Sequence, residues 1–274
     1  MNSQDMQVIG LCRFSYPAYG GFQVAHETME DRRAFLYAPE RMEERFRSFE
    51  AITMPGLRAQ TDPNFEFLIV IGECLPAPYL ARLKDLIADV PQARIIARPP
   101  ERHRLAMQQI INENLDTPEL PSIQFRHDDD DAVAVNFIEK LREAVDDCAA
   151  LIAKHPLVAI DFNRGFSGRP TSQGLEITPS VLQYYGVALA MVAQPGAQKT
   201  IMNFSHKKMN QVMPSVTFTD QEMFLRGHGA FNDSRQKPNI AQLDFQPMDA
   251  EEEILFKELF AIDNDRVREI YSRA

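Results

Sequence analysis

The stretch PSIQFRHDDDDAVAVNFIEKLREAV, residues 121–145, places four consecutive aspartates, Asp128 to Asp131, between two apolar-patterned segments. The residues before the aspartates are typical of a strand, and those after them repeat apolar side chains at helical spacing. Four adjacent carboxylates repel one another, and burial near a core raises the free energy further. The run therefore either lies in water as the start of a helix or is held together by a cation.

The rest of the first half alternates between strand and helix. Strands are predicted at QVIGLCRF, TDPNFEFLIVIGE, ARIIAR and SIQFRH. Helices are predicted from Pro39 to a stop at Pro55-Gly56, at APYLARLKDLIADV, at ERHRLAMQQIINENL, and from Val135 to Ile152. This alternation predicts a parallel sheet with right-handed crossovers.

The second half has a different pattern. LVAIDFNRGFSG, GLEITPS and YYGVALAMVA are predicted as strands with no helix between them, which favours an antiparallel extension of the sheet. HKKMNQVM is predicted as a short helix and DAEEEILFKELFAI as a longer one. We expect an α/β fold with a mixed, mostly parallel central sheet flanked by helices. It forms one domain over 1–274, with a βα half at 1–153 and a mixed half at 154–274.

Composition limits the partners. The chain has 274 residues and a formal net charge of −10, which argues against nucleic acid or an anionic membrane as the main partner. Its longest apolar run, YYGVALAMVA, is too short for a transmembrane segment, and the N-terminus lacks the pattern of a secretory signal. The three cysteines, Cys12, Cys74 and Cys148, are scattered and form no CxxC pair. This pattern is typical of buried thiols in a reducing compartment and not of a zinc site or a disulfide framework. We expect a soluble, cytoplasmic protein; the oligomeric state stays open.

Three interpretations of the aspartates compete. One aspartate could cap the following helix, but this explains one or two carboxylates and not four. A calcium loop fits Asp128, Asp130 and Glu139 at its first, third and twelfth positions, whereas Ala132 and Val133 replace an oxygen ligand and the turn glycine. The third is a divalent cation, Mn²⁺ or Mg²⁺, that bridges two carboxylates to a diphosphate. The pattern favours the cation, at the strand edge where α/β sheets bind ligands.

A strand followed by Asp-x-Asp and a helix, after three βα units, resembles a GT-A type glycosyltransferase. Four segments, in the expected order, resemble more specifically the bacterial "putative rhamnosyltransferase" family of that fold. They are CRFSYPAYGGFQ at 12–23, RFRSFEAITMPGLRAQTDPNFEFLIVIGECLPAPYLARLKDLI at 45–87, FRHDDDDAVAVNFIEKLR at 125–142 and FLRGHGAFNDS at 224–234. The resemblance implies that 1–153 binds the nucleotide and 154–274 faces the acceptor.

The same resemblance implies roles for the aspartates. Asp128 and Asp130 would hold the metal of a nucleotide-diphospho-sugar, while Asp129 and Asp131 would support the site, cap, or touch the sugar. The family commonly has an arginine and an apolar residue before the acids, and this chain has Arg126 followed by a histidine. We expect the local pocket to be more polar for that reason.

Two histidines and a lysine are further candidates. His228, between glycines in LRGHGAFNDS and followed by Asn232 and Ser234, is expected to complete the metal shell or to contact the diphosphate. The alternative is an ordinary loop histidine, and His206 competes for the same role. Lys207, with Lys208 beside it, could neutralise phosphate charge, although two lysines on a helix often mark only a solvated face.

Arg13, at the end of the first strand, could pair with a phosphate or carboxylate oxygen. Phe14 or Tyr16 could stack on the nucleotide base. A surface ion pair is the alternative for Arg13.

An inverting transferase needs a carboxylate base for the acceptor hydroxyl. Asp220 and Glu222, in TFTDQEMFLRG, are the candidates, with Asp161 as competitor. Helix capping is the alternative for Asp220, and it is the preferred interpretation of the second Asp-x-Asp, Asp263 and Asp265.

These expectations describe a metal-dependent glycosyltransferase. It would move a sugar, L-rhamnose if the family name applies, from a nucleotide-diphospho-sugar donor to a carbohydrate or other acceptor hydroxyl in polysaccharide or glycoconjugate synthesis. The alternatives are a sugar-phosphate nucleotidyltransferase, disfavoured because no glycine-rich, lysine-containing N-terminal loop is present, and a degenerate GT-A domain that binds nucleotide or carbohydrate without turnover.

Overall fold

The computed structural model describes residues 2–20, 26–229 and 243–273. The first half supplies four parallel strands: β1 (Gln7–Arg13), β2 (Glu66–Gly72), β3 (Ala93–Arg98) and β4 (Ser122–His127). Their order in the sheet is β3-β2-β1-β4. All four lie where the sequence predicts strands, and their carboxyl ends meet at one edge.

Helices cover both faces of these strands. They are α1 (Met29–Leu36), α2 (Pro39–Ser48), α3 (Met54–Arg58), α4 (Ala77–Ile87) and α5 (His103–Glu113). Alternate residues of β1 enter two separate apolar clusters: Val8 and Cys12 pack with α2, and Ile9 and Leu11 pack with α5. A strand buried on both faces needs apolar residues at every position, which explains the continuous apolar runs of β1 and β2.

The second half extends the sheet with antiparallel strands, as the sequence predicts. Its elements are β5 (Ala132–Val133), α6 (Phe137–Asp147), α7 (Ala149–Ile152), β6 (Leu157–Thr171), β7 (Gly174–Val181), β8 (Leu189–Ala193), β9 (Ser215–Gly227), β10 (Gln246–Pro247), α8 (Ala250–Phe260) and α9 (Asn264–Tyr271). β8 lies antiparallel to both β4 and β6, and β6 pairs with β7 antiparallel and with β9 parallel. The described chain is therefore α/β with a mixed sheet between helices.

The helix predicted to stop at Pro55-Gly56 continues past both residues. α2 passes through a π-helical segment at Phe49–Thr53 into α3. Pro55 lies in the first turn of α3, where a proline is tolerated. A Cβ on Gly56 would lie 2.4 Å from the carbonyl oxygen of Val133, so this glycine allows close packing against β5 and does not end the helix.

Two further predictions need correction. The helix after the aspartates begins at Phe137, because residues 132–133 form β5. The YYGVALAMVA strand begins only at Leu189, so both of its tyrosines lie in a loop. The short helix predicted at HKKMNQVM is present, as a 3₁₀ helix over His206–Gln211. Over the described ranges, every helix is too short or too polar to cross a bilayer.

Candidate active site

The four aspartates form a turn between β4 and β5, at the carboxyl edge of the parallel strands. The amide of Asp131 donates to the carbonyl oxygen of Asp128 over 3.3 Å. α6 begins only at Phe137, after Asn136 at its N-cap. The aspartates therefore do not cap a helix, and that interpretation is wrong.

Asp129 faces the protein interior. Its Oδ1 accepts a hydrogen bond from Nη1 of Arg45 over 2.5 Å, and Asp129 is only 5% exposed. The same guanidinium atom lies 3.6 Å from Oδ2 of Asp130. The prediction that Asp129 contacts the ligand is thus corrected: Asp129 forms a buried ion pair that anchors the turn on α2.

Asp131 also points inward. Its carboxylate accepts a hydrogen bond from the amide of Gly227, at the end of β9, over 2.9 Å. Its carbonyl oxygen accepts from the Thr53 hydroxyl over 2.9 Å and lies 3.0 Å from Nε2 of His127. Burial raises the pKa of Asp131 well above its usual range, and the charge of Asp130 adds to this effect. Asp131 therefore joins the turn to its neighbours.

Asp128 and Asp130 are the two aspartates that remain for a ligand. The Asp128 side chain is 39% exposed, with Arg13 at 3.7 Å and Arg126 at 3.8 Å. Burial acts to raise its pKa, but Arg126 and Arg13 outweigh burial and hold the pKa well below its usual range. Burial raises the pKa of Asp130 to about 7, and the charges of Asp129 and Asp128 add to this rise.

The carboxylates of Asp128 and Asp130 fit a hard divalent cation that also binds a ligand. Within residues 2–20, 26–229 and 243–273, no three carboxylate, imidazole or thiol groups are close enough to hold a metal by themselves. Mg²⁺ characteristically takes one or two protein carboxylates and completes its shell with water and substrate phosphates. A neighbouring cation would also favour the ionised form of Asp130, whose pKa is raised without one. Asp128 and Asp130 fit that role.

His228 directly follows the glycine that contacts the turn. Its amide donates to the carbonyl oxygen of Gly168 over 2.8 Å. Burial, with the charge of Arg226 adding, lowers the pKa of His228 to about 4, so its ring is neutral near pH 7. Its buried Nε2 has no hydrogen-bond partner among the described residues. A neutral imidazole is the form that binds metals; Asn232 and Ser234 lie outside the described residues.

The end of β1 contributes Arg13 but no stacking ring. Nη1 of Arg13 lies 3.0 Å from Nε2 of His103, the first residue of α5. Phe14 has no exposed surface, because its ring packs 5.0 Å from Phe46 in the core. Tyr16 is 2% exposed. The prediction that Phe14 stacks on a base is therefore wrong: the backbone turn that exposes Arg13 directs Phe14 inward.

His206 and Lys207 lie beside the loop that precedes β8. Nδ1 of His206 is 2.7 Å from the carbonyl oxygen of Tyr184, which requires the proton on Nδ1. Burial, with the charge of Arg126 adding, lowers the pKa of His206 to about 4. Lys207 is exposed, with Nζ 4.9 Å from the ring centre of Tyr185.

The candidate bases are not brought to the aspartate turn. Asp220 is exposed within β9, about seven residues or roughly 20 Å of strand from Gly227, and not at a helix start. Glu222 accepts from Nη2 of Arg164 over 3.0 Å. Asp161 has no exposed surface, and burial raises its pKa to about 6. The assignment of a base to Asp220 or Glu222 stays a prediction without support from this geometry.

Sequence reasoning assigned no role to several residues around the aspartate turn. They are Arg45 on α2, which pairs with Asp129, His103 on α5, which contacts Arg13, and Arg226 on β9, which contacts Tyr185 before β8. Only the Tyr-Tyr-Gly at 184–186 carried a local signal, since tyrosines followed by glycine before an apolar run are compatible with a loop. The others meet through tertiary contacts between distant segments.

Comparison with known proteins gives one family and several solved structures. Crystal structures of S. aureus TarS 1-349, alone, with UDP and with UDP-GlcNAc, align at TM-scores of 0.39, 0.41 and 0.40 and identities of 13%, 11% and 12%. Each alignment covers 81% of this chain and 60%, 61% and 59% of the TarS chain. No curated protein matches the chain. The model of one family, described as "Putative rhamnosyl transferase", matches residues 7–240. Since that match spans most of the sequence, the chain belongs to this rhamnosyl transferase family.

Proposed function

We propose that this protein is a glycosyltransferase that uses a nucleotide-diphospho-sugar as donor. The observation that carries the proposal is the position of Asp128. An exposed carboxylate with Arg13 and Arg126 at 3.7 and 3.8 Å lies at the carboxyl edge of the parallel strands. Family membership and the strand–Asp-x-Asp order support the same function.

Asp128 and Asp130 would hold a divalent cation, Mn²⁺ or Mg²⁺. When bound, such a cation supplies positive charge that stabilises a departing nucleoside diphosphate. The contacts of Arg13 and Arg126 with Asp128 are longer than hydrogen bonds. Both guanidinium groups can therefore also donate to phosphate oxygens, where charge develops as the sugar leaves.

The buried aspartates would keep the exposed pair in place. Asp129 is fixed by Arg45 and Asp131 by the amide of Gly227, so the turn is anchored on α2 and on β9. Groups held in this way lose little conformational freedom when a ligand binds. His228 directly follows Gly227, which contacts the turn, and its neutral imidazole would serve as a contact to the diphosphate; among the described residues it does not lie close enough to Asp128 and Asp130 to form a three-residue metal shell with them.

The donor sugar and the acceptor are narrower proposals. L-rhamnose is the sugar suggested by the family description, and the acceptor would be the hydroxyl of a carbohydrate or of another molecule. The protein would then act in the synthesis of a polysaccharide or glycoconjugate in the cytoplasm.

A domain that binds the nucleotide without turnover is a second candidate. Asp220 lies roughly 20 Å along β9 from Gly227, and Asp161 is fully buried, which favours a site lacking a base. Turnover of a donor would exclude this candidate, and nucleotide binding alone would be compatible with both.

A thermal-shift panel tests the binding step. UDP, dTDP, GDP and CMP are each added with and without Mn²⁺ to the wild type and to Asp128→Ala/Asp130→Ala. At a hundredfold excess over Kd, binding stabilises the folded state by about 2.7 kcal/mol. We expect a Mn²⁺-dependent shift for one diphosphate, lost in the double variant. No shift with any nucleotide would overturn the proposal.

A further inference from the structure

The loop between β7 and β8 has a strained backbone beside the aspartate turn. Tyr184 and Ala188 have φ of 50° and 49°, and Gly186 between them has φ of 106°. The left-handed conformation is unfavourable for a non-glycine residue, because Cβ comes too close to the following carbonyl oxygen. Such strain persists only where the surrounding structure enforces it, and it concentrates at functional sites.

Buried contacts enforce this conformation from beneath the loop. The amide of Tyr184 donates to Oδ1 of Asp161 over 3.1 Å, and Oδ2 of Asp161 accepts from the Thr217 hydroxyl over 3.1 Å. The same hydroxyl lies 3.3 Å from the phenol oxygen of Tyr184. The His206 imidazole holds the Tyr184 carbonyl oxygen from the side. The backbone N–H and the carbonyl oxygen of Tyr184 are therefore both held by hydrogen bonds.

The consequence is that Tyr185 contacts two cations from different elements. The guanidinium carbon of Arg226 lies 4.3 Å from its ring centre, and Nζ of Lys207 lies 4.9 Å away. Both distances fall within the range of cation–π attraction. Arg226 belongs to β9 and Lys207 to the 3₁₀ helix at His206–Gln211, so one ring connects them.

Arg226 and the loop lie near the proposed ligand site, and Tyr185 connects Lys207 to Arg226. The charge of Arg226 acts on Asp128, where it opposes the effect of burial on the pKa. A Cβ on Gly186 would lie 3.6 Å from Nε of Arg126, and that buried Nε has no hydrogen-bond partner within the described ranges. Arg126 and Arg226 therefore both act on Asp128, and the Tyr185 ring connects Lys207 to Arg226, in a chain whose net charge is −10.

We propose that Tyr185 is a positioning residue, which holds Lys207 and Arg226 so that both meet the phosphate groups of the donor. This inference rests on the proposed function, and it assigns to the Tyr185 ring the role of orienting Lys207 and Arg226. Without the ring, Lys207 is an exposed side chain whose rotamers must be ordered on binding. Ordering a long side chain in advance reduces the entropy lost when the phosphates bind.

Calorimetric titration with the nucleoside diphosphate selected by the thermal-shift panel, in Mn²⁺, tests this. Losing the advance ordering of one or two long side chains corresponds to about a tenfold change in Kd. Tyr185→Leu should weaken diphosphate binding about tenfold, and Tyr185→Phe, which keeps the ring, should stay within about twofold of wild type. The matching nucleoside without phosphates should bind both variants and the wild type equally.

The adjacent lysines provide a matched control. Lys207→Ala should weaken diphosphate binding, whereas Lys208→Ala should not, although both substitutions remove one exposed charge from the same short helix. Equal effects of the two would overturn the proposal, as would wild-type affinity of Tyr185→Leu. If Tyr185→Leu does not fold, the comparison of Lys207→Ala with Lys208→Ala tests the proposal by itself. A wild type that binds no nucleoside diphosphate would instead refute the proposed function itself.

Discussion

The amide of Gly227 donates a hydrogen bond to the carboxylate of Asp131 over 2.9 Å, which joins the end of β9 to the aspartate turn. The approach is close enough that a Cβ on Gly227 would lie 1.9 Å from the carbonyl oxygen of Asp130. These residues are almost a hundred positions apart in the sequence, and the fold brings them into contact at the same site.

Gly227→Ala should destabilise the protein by about 1–3 kcal/mol, because the added methyl group overlaps main chain that cannot move without breaking the bond to Asp131. Urea unfolding measures the loss. Gly196→Ala is the control: its Cβ meets no atom within 4 Å, and only its φ of 79° is unfavourable, at about 1 kcal/mol. A smaller loss for Gly227→Ala than for the control would contradict the close approach.

Arg45→Met should lower the free energy of unfolding by about 3–5 kcal/mol, because it removes the guanidinium group that pairs with the buried Asp129 carboxylate. The double variant Arg45→Met/Asp129→Asn should recover part of that loss, since no uncompensated charge remains at position 129. Urea unfolding of the wild type, both single variants and the double variant gives the coupling free energy. Strictly additive losses would show that the pair is not coupled.

Phe14→Ala should destabilise by about 3–5 kcal/mol, because Phe14 is a core side chain packed on Phe46 and Phe49. Phe14→Leu, closer in volume, should lose less. Nucleotide affinity of Phe14→Leu, titrated where that variant is fully folded, should equal that of the wild type. A marked drop in its affinity for nucleoside diphosphate would restore the stacking role that the structure denies to this ring.

Asp161→Asn should change how stability depends on pH. Burial raises the folded pKa of Asp161 from its usual value of 3.8 to about 6, so the folded state binds more protons than the unfolded state between about pH 4 and pH 6. The contribution of Asp161 to stability is therefore full below pH 4 and declines as pH rises through 6. The total loss is on the order of 3 kcal/mol.

Asparagine can accept from the Tyr184 amide and donate to Thr217, so Asp161→Asn should keep the loop while removing this titration. The difference in unfolding free energy between variant and wild type should move in favour of the variant from pH 4 to pH 7. A difference that does not change with pH would refute the assigned pKa shift. Taking the difference removes the effects of the buried histidines, which titrate in both proteins.

The sequence was informative wherever one local pattern determined the structure. The apolar runs of β1 and β2 and the cap at Asp263, which accepts from the amides of Asp265 and Arg266, follow from neighbours in the chain. The aspartate run located the edge of the sheet where the site lies. It did not reveal which carboxylates face inward, because Arg45 and Gly227 reach the run from distant segments.

The loop before β8 was missed for a related reason. Its apolar residues match a strand, and its left-handed backbone depends on Asp161 and His206, which no local pattern connects to Tyr184. The same limit applies to Phe14, whose direction is set by the turn after β1 and by packing on α2. Periodicity locates elements, whereas the direction of a side chain at an element's end depends on tertiary contacts.

Release of nucleoside diphosphate from a panel of nucleotide-sugars tests the central claim most directly. The wild type, Asp130→Ala and Asp265→Ala are each assayed with Mn²⁺ and with a chelator. Asp265→Ala is the matched control, because it changes the other Asp-x-Asp, at the exposed start of α9. We predict slow release from one donor that requires the metal, is lost in Asp130→Ala and is retained in Asp265→Ala. Absence of release from every donor, or release that persists in Asp130→Ala, would contradict the account.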